Sequence, residues 1–295
     1  MTRQTDAGEA TVSLLCETFG LWRAAYYQAL KPAAERSGEV VKLPTAPRYT
    51  TAEVVLSKIR EVVGREGSEA WGVRKVWATL RREGLRVSRK RVWALMHAHG
   101  LVMARDREPG ETTRGHVAVP EPNRRIATDL TTTWTKRDGV VAIVPTIDCG
   151  CRSMLGIVVT KDQHGPAVLE SVQQALRAAF GSPAHVPEGV ELRTDHGPQY
   201  TGADCAELVE RWGLEHTYAP VGRPTGNAVV ERVIRTLKEE VVWLRDWESI
   251  DELRAAIRAW VKRYNEQRPH QALGWKTPAE YRAEHLGATP LAVAA

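Results

Sequence analysis

Within the first hundred positions, apolar residues recur at helical spacing in several separate stretches. Residues 11 to 30, TVSLLCETFGLWRAAYYQAL, predict two short helices around Phe19-Gly20, with Leu14, Leu15, Leu21, Trp22 and Tyr26 as apolar positions. Pro32, Gly38, Pro44 and Pro47 then break the pattern and mark a linker. From Thr51, TAEVVLSKIREVVG reads as a helix with a threonine cap, apolar Val54, Val55, Ile59, Val62 and Val63, and Gly64 as its stop. WGVRKVWATLRREG places Val73, Val76, Trp77 and Leu80 on one side and closes at Gly84, which suits the left-handed turn that ends a helix. Ser88 caps a further helix, SRKRVWALMHAHG, with Val92, Leu95 and Met96 inward and Gly100 at its end.

Residues 102 to 123 are polar, broken by three prolines, and read as an exposed connector. Beyond them the period changes from helical to extended. RRIATDLTTTWT, GVVAIVPTID and CRSMLGIVVT are three β-branched runs separated by turn signals, which predicts an antiparallel meander. A helix over GPAVLESVQQALRAAFG, a fourth strand GVELRTD, a helix DCAELVERWG, a fifth strand LEHTYAP and a long helix from near Thr225 follow. SIDELRAAIRAWVKRYNEQRPHQAL predicts one more helix, stopped by Pro269, and a basic tail; Arg268 and His270 there can reach a polyanion or simply pack. The expected organisation is a helical segment and linker at 1–50, a helical unit at 51–101, the connector at 102–123, an α/β core at 124–246 with a mixed five-stranded sheet flanked by helices, and a C-terminal helix and tail at 247–295. Its element order is that of a ribonuclease H-like fold, although other α/β domains share it.

Charge changes this picture in one region. The chain of 295 residues carries 41 Lys and Arg against 36 Asp and Glu, and residues 51 to 110 alone hold 13 basic against 7 acidic residues. A localised basic excess favours a polyanionic partner, although a solvated helical face gives the same count. Two helices joined by a tight glycine-containing turn, the second opening with Arg89, Lys90 and Arg91, form the pattern of a helix-turn-helix DNA reader. His97 and His99 stand two apart, on nearly opposite sides of that helix, and cannot chelate one metal together. The four cysteines form no C-x-x-C pair, which points to a reducing compartment without a zinc knuckle or disulfide framework. No apolar run reaches the roughly 20 residues of a membrane span, and no signal-peptide core opens the chain; a cytoplasmic, nucleoid-associated protein is expected.

Three carboxylates stand out. Asp129 lies in the first strand among threonines, Asp195 ends the fourth strand before a Gly-Pro break, and Glu231 sits in the long helix. Singly, each has a plain structural role open to it: a solvent-side strand residue, a turn or cap, an exposed helix position. Their spacing is more informative, with 65 residues between the aspartates and 35 between Asp195 and Glu231. On the helix, Asn227, Glu231, Arg235 and Lys238 fall within about 80° of one another, opposite Val229, Val233 and Leu237. His196 and Gln199, in the loop after Asp195, either contact substrate or shape the turn.

With these residues in place the chain resembles the DDE transposase and retroviral integrase superfamily, and more narrowly the OrfB-type transposases of bacterial insertion sequences. The resemblance runs through WGVRKVWATLRREGLRVSRKRVWALMHAHGL, ATDLT, LRTDHGPQY, PTGNAVVER, LKEE and YNEQRPHQALGWKTPAEY. It departs at Ile126, where an aromatic residue often precedes the Thr-Asp, at Thr132 and Thr133, and in PTGNAVVER. The resemblance implies a transposase that cuts one strand at each element end to free a 3′ hydroxyl and joins that hydroxyl to target DNA. It implies catalysis by Asp129, Asp195 and Glu231 on two Mg²⁺ ions, with Mn²⁺ as substitute, Asp129 bridging both, Asp195 on one and Glu231 on the other. Hard oxygen ligands suit those ions better than zinc, and a pair of ions serves both attacking and leaving oxygens. Implied partners are double-stranded DNA of the element ends and target, further copies of the chain and an upstream OrfA product or fusion. Arg89, Lys90, Arg91, Asn227, Arg235 and Lys238 are the expected DNA contacts. A ribonuclease H-like nuclease without strand transfer, or a helix-turn-helix regulator, are the alternatives.

Overall fold

The computed structural model describes residues 12–19, 22–30, 50–102, 119, 121–219 and 227–287. Helices α1 (Val12–Thr18) and α2 (Arg23–Leu30) belong to a separate N-terminal unit of residues 1–49. The side chains of Leu14 and Leu15, residue Leu21, the expected linker from 31 to 49 and the connector from 103 to 118 lie outside the described residues.

The second unit opens with the helices α3 (Ala52–Val63), α4 (Val73–Arg82) and α5 (Arg89–Ala98). Thr51 and Ser88 cap α3 and α5 through their side chains, as their positions predict. Gly84 and Gly100 take positive φ, and Leu85 and Leu101 donate back to Leu80 and Met96, closing each helix with a reversal only a left-handed residue allows. Val55, Ile59, Val62, Val76, Leu80, Val92 and Met96 form their shared core. Val54, expected inward, is exposed: one residue from Val55, it turns about 100° away from the packed face.

The α/β core carries strands β1 (Arg125–Thr128), β2 (Thr131–Thr135), β3 (Gly139–Asp148), β4 (Met154–Thr160), β5 (Glu191–Thr194) and β6 (Glu215–Tyr218). The expected first strand is therefore split, yet its pairing keeps one register: Thr128 faces Thr146 and Thr131 faces Ile143, three residues on in each strand. The gap falls at Asp129-Leu130, and Asp129 stands in register with Pro145, which has no N–H to give a ladder. Counting β1 and β2 as one, the sheet has five strands in the order β4, β3, β1/β2, β5, β6; β3 runs antiparallel to its neighbours, and β1, β5 and β6 run parallel. This is a mixed, ribonuclease H-like sheet.

One face is covered by α6 (Gly165–Phe180) and α8 (Ala203–Trp212), which bury Ile126, Val144, Leu155 and Leu192. The other is covered by α9 (Ala228–Glu240) and α10 (Ile250–Glu266), over Ala127, Val141, Ile143 and Ile157. Leu253, Ile257 and Trp260 thus share one hydrophobic core with Val230, Val233 and Leu237, across the boundary expected at 246. Helix α9 starts at Ala228 rather than near Thr225, and residues 220–226 lie outside the described residues. α11 (Pro278–Leu286) closes the described chain with a Thr277–Glu280 capping box. The helical unit is tied to the core by Lys75–Glu240 at 3.0 Å, Arg82–Glu280 at 2.5 Å and an edge-on Trp77–Trp275 pair at 5.9 Å. Among the described residues no helix is long and apolar enough to cross a membrane.

Candidate acidic site

Strand register brings the two aspartates to one place. β1 and β5 pair in parallel, with Ala127 opposite Arg193, and two residues further along each strand stand Asp129 and Asp195. Alternation along a strand puts Asp129 on the same face as Ala127, the face that packs against α9. Glu231 lies on the first turn of α9, exposed, and its charge acts on Asp129. Asp129 and Asp195 therefore stand side by side just past the ends of β1 and β5, and Glu231 is near enough for its charge to act on Asp129.

Their electrostatics are those of acids held together. Burial pushes the Asp129 carboxyl up to about 6, and the charges of Asp195 and Glu231 push in the same direction. The Leu130 amide, which donates to Asp129 Oδ1 at 2.8 Å, and the Lys238 charge pull it back only in part. Burial also raises Glu231 above its ordinary value. Asp195 accepts from the Gly197 amide at 2.9 Å, so it does shape the turn, as a carboxylate at a strand end can. Among the described residues no three His, Cys, Asp or Glu side chains are placed to hold a single ion. A pair of ions shared between neighbours asks for only two carboxylates each, and crowded oxygen donors short of counter-charge suit hard divalent cations.

Two buried groups position this cluster. Asn227, just before α9, donates from Nδ2 to the Thr128 carbonyl at 3.1 Å, fastening the start of the glutamate helix to the residue before Asp129. It is buried, not an exposed member of the polar stripe on α9, because it precedes the helix and turns toward β1. Its Oδ1 is buried without a partner among the described residues. On the opposite sheet face Thr128 Oγ1 donates to the Pro145 carbonyl at 3.1 Å and accepts from Thr146 Oγ1 at 3.1 Å, and lies 3.4 Å from the Tyr200 hydroxyl. Tyr200 comes from α7 (Pro198–Thr201), the short helix after Asp195, so these hydroxyls join the segments bearing both aspartates. Periodicity gives no hint of either link, because both are long-range contacts of polar side chains. His196 is exposed and stacks on Tyr218 at 4.8 Å.

The expected DNA contacts are dispersed. Arg89 and Lys90 are exposed on the first turn of α5, with Arg91 half-buried and Trp93 open to solvent. Arg235 is exposed and pairs with Glu239 at 2.9 Å, whereas Lys238 sits near enough to Asp129 to act on its charge. Arg268 is buried, drawn under the surface by Glu240 at 3.1 Å, which settles it as a packed residue with His270 beside it.

Comparison with known proteins gives three family matches: an HTH-like domain at residues 52–109 and an integrase core domain at 119–224 and again at 212–278. Transposase InsD of insertion element IS2A/D/F/H/I/K from Escherichia coli is 30% identical over 250 residues, 79% of this chain and 80% of that protein. A 31.7 kDa protein of insertion element IS407 from Burkholderia multivorans is 27% identical over 273 residues, 92% of this chain and 90% of its own. Among solved structures, a chain of the simian T-cell lymphotropic virus intasome with a PP2A regulatory subunit aligns over 74% of each chain at 20% identity and a TM-score of 0.47.

Proposed function

Because the chain belongs to the insertion-sequence transposases that join an HTH-like domain to an integrase core, we propose that Asp129, Asp195 and Glu231 are the catalytic acids of its DNA strand cleavage and strand transfer. The chain is a DNA transposase acting in the transposition of an insertion sequence. The observation that supports the site assignment is the parallel register that sets Asp129 and Asp195 side by side past the ends of β1 and β5, with the Asn227–Thr128 bond fastening the start of the glutamate helix to the same place.

Asp129, Asp195 and Glu231 would together hold divalent ions, Mg²⁺ or Mn²⁺. Such ions supply Lewis acidity toward the attacking and leaving oxygens of a phosphodiester. The protein's own part is positional. The parallel register holds both aspartates on a rigid edge, and the Asn227–Thr128 bond keeps the glutamate helix against that edge. Lys238, beside the acids, is suited to the substrate phosphate. In cleavage a water oxygen bonds to phosphorus as the 3′ oxygen leaves and takes a proton; in transfer the freed 3′ hydroxyl attacks a target phosphorus and displaces a target 3′ oxygen in the same way. No protein nucleophile is required. Arg89, Lys90 and Arg91 would read the element end, and joining two ends calls for more than one copy of the chain.

The test is cleavage and joining of duplexes carrying the sequences that flank the coding region, with Mg²⁺. Asp195→Asn and Glu231→Gln are expected to lower both steps by at least about a hundred-fold, with duplex binding in EDTA within two-fold of the unaltered chain. Cutting at near the unaltered rate by either variant overturns the assignment.

A further inference from the structure

A cavity of about 730 Å³ opens between the start of α4, the flank of α9 and the segment from 268 to 275. Arg74 and Lys75 of α4, Arg152 of the β3–β4 turn, Arg232 of α9 and Arg268 line it, against a single carboxylate, Glu239. Glu239 is already engaged by Arg235, and Lys75 and Arg268 share the buried Glu240 beneath the floor. The other three cations lack carboxylate partners among the described residues. Among the described residues Arg74 reaches Gln271 Oε1, at 3.4 Å, and the guanidinium groups of Arg152 and Arg232 have no hydrogen bond or ion pair.

The turn that presents Arg152 is a built feature. Fully buried Asp148 accepts from the amides of Gly150 at 2.7 Å and Cys151 at 3.3 Å and pairs with Arg282 at 3.2 Å. Arg152 itself stands at φ 62, a left-handed conformation that a long side chain seldom adopts. Arg152 thus lines the cavity from a turn held in an uncommon backbone conformation.

A second cavity, of about 270 Å³, is lined by Val73, Arg74, Arg89, Lys90 and Trp93 at the opening turn of α5. Arg74 belongs to both cavities. Arg74 thus links the cavity at the expected reading helix to the one on the flank of α9, where Arg232 stands.

We infer that this cleft is a phosphodiester-binding channel for one DNA strand, with Arg74, Arg152 and Arg232 as its phosphate contacts. Guanidinium forks match phosphate oxygens in pairs, and a concave positive lining concentrates the field on a polyanion. A cleft of this size has room for about one nucleotide of a single strand. The inference goes beyond the acidic site and takes from the family only that the polyanion is DNA. It is tested without metal, so a failure of the carboxylate assignment leaves it standing.

The test is fluorescence anisotropy of the full chain in EDTA, with a fluorescein-labelled 30-nucleotide single strand of random sequence and with its duplex, over a NaCl series. Arg152→Ala combined with Arg232→Ala is expected to weaken single-strand binding at least five-fold at 100 mM NaCl. It should also make the plot of log K against log salt shallower by about 1.4, close to 0.7 for each phosphate that is no longer neutralised. The Lys pair at the same positions should keep the slope. Should the double variant not melt cooperatively, Arg232→Ala alone, at an exposed helix position, carries the test with half the slope change. Unchanged affinity and slope overturn the channel, and an equal or larger loss on the duplex overturns the single-strand occupant.

Discussion

Helix α9 carries a glutamate near each end, and their surroundings are opposite. Glu240, at the C-terminal end, is almost wholly buried, yet its carboxyl is held below its ordinary value. Burial alone would raise it, but Arg268, Lys75 and the Trp260 indole N–H outweigh that. Glu231, at the N-terminal end, is exposed, and still partial burial raises its carboxyl above its ordinary value. The deeper acid is comfortable and the shallower one is not. A carboxylate that serves the fold comes with its counter-ions encoded in the chain, here from α4 and from the segment after α10. Asp129, at the end of β1, feels two further acids and the Lys238 charge, and an incoming cation would favour its ionised form.

The largest expected effect comes from breaking the balanced end. Glu240→Ala leaves Lys75 and Arg268 facing one another under the surface, and removal of one partner of a buried ion pair costs about 3–5 kcal/mol. Urea unfolding should show that loss, with Glu240→Gln in between because its amide still accepts from a cation. The pH dependence has a definite sign. The folded carboxyl titrates below 4.5, so its contribution is complete above that value and is lost as pH falls through the lowered one. The unaltered chain should therefore weaken below about pH 4.5 more steeply than Glu240→Ala. Equal stability of the two at pH 7 would mean that the junction is ornamental.

The same contrast explains what is legible in the sequence. Asp129, Asp195 and Glu231 can be put forward from the sequence because spacing along the chain survives without any knowledge of contacts, and caps such as Ser88 and stops such as Gly84 act within a few residues. Glu240 reads as the second letter of a solvated Glu-Glu pair. Its partners Lys75 and Arg268 are 165 and 28 residues away, and no local pattern announces such a pairing. Asn227 misleads for a related reason. A polar residue at helical spacing looks like part of an exposed stripe, until a carbonyl 99 residues earlier claims its amide. Pro145 splits the expected first strand from across the sheet, through an N–H it does not have.

A smaller effect should follow from relieving the unbalanced end. Asp129 titrates near 6 in the folded chain against 3.8 ordinarily, so its ionised form is penalised by folding. For an acid raised in this way stability falls as pH rises from about 4 to about 6. Asp129→Asn removes that penalty while keeping an acceptor for the Leu130 amide. In EDTA at pH 8 it should stabilise the chain by about 1–2 kcal/mol, a figure discounted from about 1.4 kcal/mol per pH unit because the site is partly open to water. Each kcal/mol appears as about 2–4 °C in Tm for a domain of this size. At pH 4 the gain should vanish. A variant that melts lower than the unaltered chain at pH 8 would show that Asp129 is stabilised in place, in the manner of Glu240.

The smallest effect is the most discriminating. If the sheet-edge acids lack only a cation, Mg²⁺ should give the unaltered chain the stability that Asp129→Asn gains by substitution. A ligand at ten times its Kd adds about 1.4 kcal/mol to the folded state, so the expected rise in Tm at pH 8 is a few degrees, measured against NaCl of matched ionic strength. The rise should shrink below pH 6, where a proton takes the cation's place on Asp129. It should be absent in Asp129→Asn, and persist as an increment in Glu240→Gln, whose acidic edge is intact. An equal Mg²⁺ shift in the unaltered chain and in Asp129→Asn would mean that the ion binds elsewhere, and the charge imbalance at the end of β1 and β5 would then need another occupant.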